Sequence, residues 1–364
     1  MKAVGRIRFV GIALVLGLGV WWAIASVSSG ATKETYPQSE FIATVDWVKE
    51  HKNDENVTII DVREKEYFDD RLVPGAVHLP WGEFRTNNAV LNLAGLFVGI
   101  EAAQQILGNY GVARTDTVVL YDSAERDGGA TASYFFWVLD LLGHENKKIL
   151  EGGIDAWIAA NEEIASKPAQ LESLLYQAPV EEIDKRKLAQ GNFIYFRLGD
   201  PHYYILDVRS KEEYLGEKPN VALDGTVLKL GHIPSAVNID YRLNWQNQEK
   251  KMLKPYSQLQ QLYRGLDTTK PVVVYCHSGR RSSFSYFVLR VMGFKDVIVY
   301  DRSWNEWGNP DFFFPVETKE NRLASPVVPD ATGESAVTQS KNTAQPDEAG
   351  KLEPPKDGYV SCGG

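Results

Sequence analysis

The chain has 364 residues, 44% of them hydrophobic and 24% charged, with a formal net charge of −9. This is enough for two ordinary domains with packed cores, and the negative balance excludes a general electrostatic attraction to nucleic acid. Two cysteines, Cys276 and Cys362, exclude a disulfide framework, and the absence of any CxxC or Cys/His spacing leaves no metal site and no cofactor expected.

At the start, Lys2, Arg6 and Arg8 precede an apolar run from Phe9 to Ala25. Ala23-Ile24-Ala25 and Ser28 to Ala31 then offer small-residue cleavage positions. Residues 1–31 read as a secretory signal or an uncleaved anchor. Export is expected, with a periplasmic location. Residues 9–25, at the lower limit for a bilayer span, are the one expected membrane contact.

A helix over 43–52 and an apolar strand from Val57 to Asp61 follow. A central strand, Val118 to Tyr121, leads to a helix over 130–142 and a strand from Lys148 to Leu150. The stretch from Ala165 to Gln190, with Pro168 and Pro179, reads as a connection. The same order then recurs: strand Tyr204 to Asp207, helix Tyr256 to Gly265, strand Val272 to Tyr275, an amphipathic helix starting near Ser282 and running to Met292, strand Val297 to Tyr300. Strands alternating with helices predict an α/β fold with mainly parallel sheets flanked by helices. Beyond about Glu317 the composition turns to Pro, Ser, Thr, Ala, Glu and Gln, which predicts a disordered tail.

The recurrence is a duplication. Ile59 to Trp81 matches Tyr204 to Tyr214 followed by Gly231 to Tyr241. TVVLYDS (Thr117 to Ser123) matches PVVVYCH (Pro271 to His277), and Leu141 to Trp157 matches Val291 to Trp307. Three segments in one order, roughly 150 residues apart, define the expected domains: 38–166, a connection over 167–190, 191–318, and a tail over 319–364.

Cys276 carries the chemistry. It ends an apolar β-branched strand, and Cys276 to Arg281 lead into a helix. This arrangement aims amide N–H groups and a helix N-terminus at one sulfur, with Arg280 and Arg281 beside it. All of these favour thiolate over thiol and suit a small anionic substrate. Gly279 permits the backbone angles of a tight cradle.

The motifs DVR-x-x-x-E-[YF], [GH]-x-[IV]-P-[GS]-A-[VI], VVxYC-x-x-G-x-R and YDxSWxEW resemble the tandem-domain rhodanese family, the thiosulfate and 3-mercaptopyruvate sulfurtransferases. The resemblance runs from about Phe41 to Phe314. It implies two rhodanese-like domains, a catalytic Cys276 in the second, and a non-catalytic first domain with Asp122 at the corresponding place. The implied reaction moves a sulfane sulfur from thiosulfate or a persulfide, through a Cys276 persulfide, to cyanide, a thiol or a protein acceptor. Loop residues His277, Ser278, Gly279 and Ser282 would line the site, and Arg280 and Arg281 would bind the sulfonate-like end of the donor. Arg209 either points into the pocket or forms a structural ion pair with an acidic neighbour. Asp61 and Arg63 repeat Asp207 and Arg209 in the silent half, where an ion pair is expected. The loop reads CHSGRR where family members read CGSGVT or CRKGVT, which favours thiosulfate or a persulfide over mercaptopyruvate. Arg302 replaces a glycine of the family motif.

Two other readings follow from the same residues. A phosphatase or arsenate reductase on this fold needs an arginine six positions after the cysteine to encircle an oxyanion, and position 282 is Ser282. The loop is one residue short. A sulfur-carrier or interaction protein is the other. The chain ends Ser361-Cys362-Gly363-Gly364, which resembles the cysteine-bearing arm of a sulfur-carrier subunit. An arm of about 45 residues reaches roughly 35–40 Å, enough to make Cys362 a candidate sulfur relay for Cys276.

Overall fold

A computed structural model describes residues 35–318. The expected leader, the tail and Cys362 lie outside the described residues.

Among these, the first half holds β1 (Ile42–Ala43), α1 (Val45–His51), β2 (Val57–Asp61), β3 (Val77–His78), β4 (Arg85–Asn88), β5 (Leu93–Phe97), α2 (Ile100–Asn109), β6 (Thr117–Tyr121), α3 (Ala130–Leu141), β7 (Lys147–Leu150) and α4 (Gly153–Ala159). The second holds α5 (Gly191–Tyr195), β8 (Tyr204–Asp207), α6 (Lys211–Leu215), β9 (Val237–Asn238), α7 (Tyr256–Leu262), β10 (Val272–Tyr275), α8 (Arg280–Val291), β11 (Val297–Val299) and α9 (Ser303–Trp307). One parallel sheet runs β1-β7-β6-β2-β3, the other β11-β10-β8-β9. A bridge from Leu188 to Val299 takes the place of β1 in the second sheet.

Strand alternation explains how the halves join. In β6, Val119 and Tyr121 face a cluster belonging to the first half alone, while Val118 and Leu120 face the opposite way. In β10, Val273 and Tyr275 face a second-half cluster, while Val272 and Val274 face the opposite way. Those opposite faces share one continuous core with α3 and α8 between them, so the two repeats fold around a common interior. Phe136 of α3 meets Phe287 of α8 edge to face at 5.0 Å. This position corrects the expected amphipathic helix after Cys276. The helix starts two residues earlier, at Arg280, and every residue of it except Arg290 is buried. An all-round buried helix needs no polar face, and its charged side chains need partners inside.

The connection between the halves is no loose tether. Leu174 donates its N–H to the Gly108 carbonyl at 2.9 Å, and Tyr176 is buried against His144. His144 Nε2–H donates to the Asp116 carbonyl at 2.9 Å, so Nδ1 accepts from the Tyr176 hydroxyl at 3.0 Å. Burial lowers the His144 pKa to about 4. The neutral ring is the native form, and the unfolded chain takes up the proton first. This contribution to stability is complete above about pH 6.5 and is lost as pH falls toward 4, by up to about 3 kcal/mol. Urea unfolding between pH 7 and 4 should therefore be less pH-dependent in His144→Gln than in wild type. Equal slopes would contradict the assignment.

Candidate active site

Period-two alternation carries past the end of β10. Cys276 lies on the same face as Val272 and Val274, so its side chain enters the shared core at the N-terminus of α8, fully buried. Its own N–H donates to Ser303 Oγ at 3.1 Å, and its carbonyl accepts from Trp304 N–H at 3.0 Å. The His277 carbonyl accepts from Asn305 N–H at 2.9 Å. The start of α9 therefore holds the loop from outside. Ser303 keeps φ +52°, while Arg302 is right-handed at φ −64° and pairs with Glu306 at 2.8 Å, so a glycine is not required at position 302.

The first half shows what the cradle holds. Asp122 ends β6 as Cys276 ends β10. Its carboxylate accepts from the N–H groups of Gly129 at 2.7 Å, Thr131 at 3.0 Å and Ala132 at 3.0 Å. Burial pushes this carboxyl up, against the pull of those three N–H groups. Gly129 is the N-cap of α3 at φ 94°, and Gly279 is the N-cap of α8 at φ 95°. The counterparts of the three donors are thus Gly279, Arg281 and Ser282. The Ser282 hydroxyl lies 3.7 Å from Cys276 Sγ and donates to the Gly279 carbonyl at 2.8 Å.

The arginines stand differently from the expectation. Arg281 forms a two-pronged pair with Glu213 at 2.7 and 2.9 Å, both side chains buried. Glu213 is also the third residue of α6, where it closes a capping box with Ser210. Burial works against its charge, yet Arg281, with Arg209 farther off, holds the carboxyl well below the usual range. Arg280 pairs with Asp127 of the first-half loop, again with both side chains buried. Neither guanidinium stands open to a substrate sulfonate, because a cation inside the joint requires a counter-charge. Arg209 is fixed on Asp207 at 2.6 Å and on the Gly231 carbonyl at 2.8 Å, and it stacks on Trp304 at 4.3 Å. Arg63 makes the same pair with Asp61 at 2.7 Å. His277 is buried in the loop, its Nε2–H donating to the Val221 carbonyl at 3.2 Å.

The β4–β5 hairpin was not read from the sequence. It reaches from the first half onto the second-half loop: Asn305 Nδ2 donates to the Ala94 carbonyl at 2.6 Å, and Arg85 donates to Asp301 at 2.9 Å and to the Ser278 carbonyl. The signal was faint: two short strands around Asn87, Asn88 and Asn92, with a buried arginine at the start.

Residues 44–160 and 194–310 each match the model of the rhodanese-like domain. The chain is 30% identical over 298 residues to a thiosulfate sulfurtransferase of Corynebacterium glutamicum, covering 79% of this chain and 94% of that protein. It is 30% identical over 284 residues to the sulfur carrier protein TtuD of Thermus thermophilus, covering 75% and 95%. The anaerobic ergothioneine biosynthesis enzyme of Chlorobium limicola has a similar fold, with a TM-score of 0.64 at 20% identity, over 78% of this chain and 71% of that one.

Removing one partner of a buried pair leaves the other charge unsatisfied. Glu213→Gln should cost about 3–5 kcal/mol in chemical unfolding, and a second change, Arg281→Met, should recover most of it. Additive losses in the double variant would contradict the pairing.

Proposed function

The chain belongs to the rhodanese-like domain family, and on that premise we propose a sulfurtransferase working through a Cys276 persulfide. The observation that carries this reading is the carboxylate of Asp122 in its ring of N–H groups. The loops differ in length, Asp122 to Gly129 against Cys276 to Gly279, but in both halves a buried helix start faces the strand end. In the first half it holds a carboxylate, and in the second that place belongs to a sulfur.

The chemistry balances in two steps. The Cys276 thiolate attacks the outer sulfur of thiosulfate. A sulfur–sulfur bond forms to the cysteine while the bond to the sulfonate sulfur breaks, and sulfite leaves with the electron pair. Cyanide or a thiolate then attacks the outer persulfide sulfur, and Cys276 leaves as thiolate. Negative charge stays within the loop throughout, so N–H groups there stabilise the thiolate, the attack and the persulfide. Loop amides rather than the Arg280 and Arg281 side chains are the main anion donors. The arginines fix the loop through Asp127 and Glu213. A persulfide donor enters by the same attack, with a thiolate in place of sulfite as leaving group. Ser282 lies where a sixth-position arginine would be needed for phosphate, which weighs against a phosphatase.

Lys2, Arg6 and Arg8 ahead of the apolar run from Phe9 to Ala25 support the reading of an exported, periplasmic protein. The terminal Cys362, together with resemblance to a sulfur carrier, supports a relay from Cys276 to Cys362 as a second reading. Intact-mass measurement after thiosulfate treatment tests both. Wild type and Cys362→Ser should each gain one sulfur at Cys276, and Cys276→Ser none. Sulfur passing from Cys276 to a thiol acceptor as fast in Cys362→Ser as in wild type would remove the relay. A sulfur gained by Cys276→Ser would remove the main proposal.

A further inference from the structure

The two loops are gripped from across the joint in matching ways. In the second half, the carbonyl of Ser278, which precedes the N-cap glycine Gly279, accepts from Arg85 of the first half. In the first half, the carbonyl of Gly128, which precedes the N-cap glycine Gly129, accepts from Trp245 Nε1 of the second half at 3.1 Å. Arg85 directly follows the short 3-10 turn Trp81–Phe84, and Trp245 directly follows its counterpart, Tyr241–Asn244. Each half thus sends one side-chain donor, from the same place in its repeat, to the same peptide group of the other half's loop.

That peptide group matters because its two ends point opposite ways. In a trans peptide, holding the carbonyl outward turns the following N–H inward. The first half shows the outcome: with the Gly128 carbonyl on Trp245, the Gly129 N–H donates to the Asp122 carboxylate at 2.7 Å. We propose that Arg85 is a positioning residue for the sulfur chemistry: by holding the Ser278 carbonyl, it aims the Gly279 N–H at the Cys276 sulfur. This rests on the persulfide reading and deepens it, since it makes the non-catalytic half a working part of the catalytic loop.

The surroundings of Arg85 suit an oriented clamp. Its guanidinium lies over the rings of Tyr134 at 4.6 Å and Trp81 at 5.1 Å. It spans two acceptors, Asp301 and the Ser278 carbonyl. Asp301 is held by the first half as well, through the Tyr134 hydroxyl at 2.9 Å and the Phe97 N–H at 2.8 Å. A methyl group at Gly279 would lie 2.3 Å from Asp301 Oδ1 and 3.1 Å from Arg85 Nη1, so clamp and N-cap fit closely. A lysine at position 85 could keep a charge beside Asp301 but could not fork to both acceptors.

The test is the pH dependence of Cys276 alkylation by iodoacetamide in the full chain carrying Cys362→Ser. It reads the thiolate directly and needs no sulfurtransferase activity, so it fails or succeeds separately from the persulfide proposal. Arg85→Met should move the midpoint upward by about one pH unit, a roughly tenfold loss of thiolate well below the midpoint. Arg85→Lys should move it in the same direction, and answers the question if Arg85→Met does not fold. Trp245→Phe removes the matching clamp on the silent loop and should leave the midpoint in place. An unmoved midpoint in the folded Arg85 variants would overturn the proposal. An equal shift in Trp245→Phe would overturn it too, since it would trace the effect to general loosening of the joint.

Discussion

The structure depends on one constraint: backbone N–H groups at the start of a buried helix must find acceptors. The first N–H groups of a helix have no partner within it, and they carry the positive end of its dipole. Helices α3 and α8 both begin inside the common core. In one half, a carboxylate from the preceding strand answers the need, through Asp122. In the other half, the preceding strand delivers Cys276. A buried sulfur there meets an environment arranged for negative charge, which is what a thiolate or persulfide requires. The same demand that stabilises the silent half therefore prepares the reactive one.

Burying both helix starts brings charge inside, and the chain balances it across the joint. Arg280 meets Asp127, and Arg85 meets Asp301, each pair linking the two halves. Tyr286 of α8 and Arg290 reach Asp140 of α3. Buried pairs like these add little net stability compared with well-packed apolar groups, but breaking one is costly. Each of them ties a group of one repeat to a group of the other. The reactive loop is held in the same way, because its carbonyl at Ser278 and its arginine at 280 are both bound by the first half.

Much of this was legible in the sequence where local rules decide the outcome. The strands Val57–Asp61, Tyr204–Asp207 and Val272–Tyr275 have the expected bounds, because runs of four or five mostly apolar residues closed by a polar one are too short for a helix and suit a buried parallel strand. The duplication and the loop around Cys276 were readable for the same reason. What sequence concealed were long-range pairings. Nothing adjacent to Arg281 marks Glu213 as its partner, 68 positions away, and nothing near Arg280 marks Asp127. Binding of the donor's sulfonate-like end by Arg280 and Arg281 would need guanidinium groups free of buried partners. The joint buries them, and helix periodicity failed for α8 because that helix has no solvent face. The hairpin was hidden because Arg85 and Asp301 acquire their meaning only when the repeats meet.

On the proposed persulfide chemistry, the first repeat serves as a structural half of the reactive loop, with anion-holding amides as the shared element. A crystal structure of the thiosulfate-treated protein tests that most directly. The expected result is one added sulfur on Cys276, within hydrogen-bonding reach of the Gly279, Arg281 and Ser282 N–H groups, in the place that the Asp122 carboxylate takes among Gly129, Thr131 and Ala132. An outer sulfur turned away from those amides, or a bound donor held by side chains with Cys276 unmodified, would contradict it.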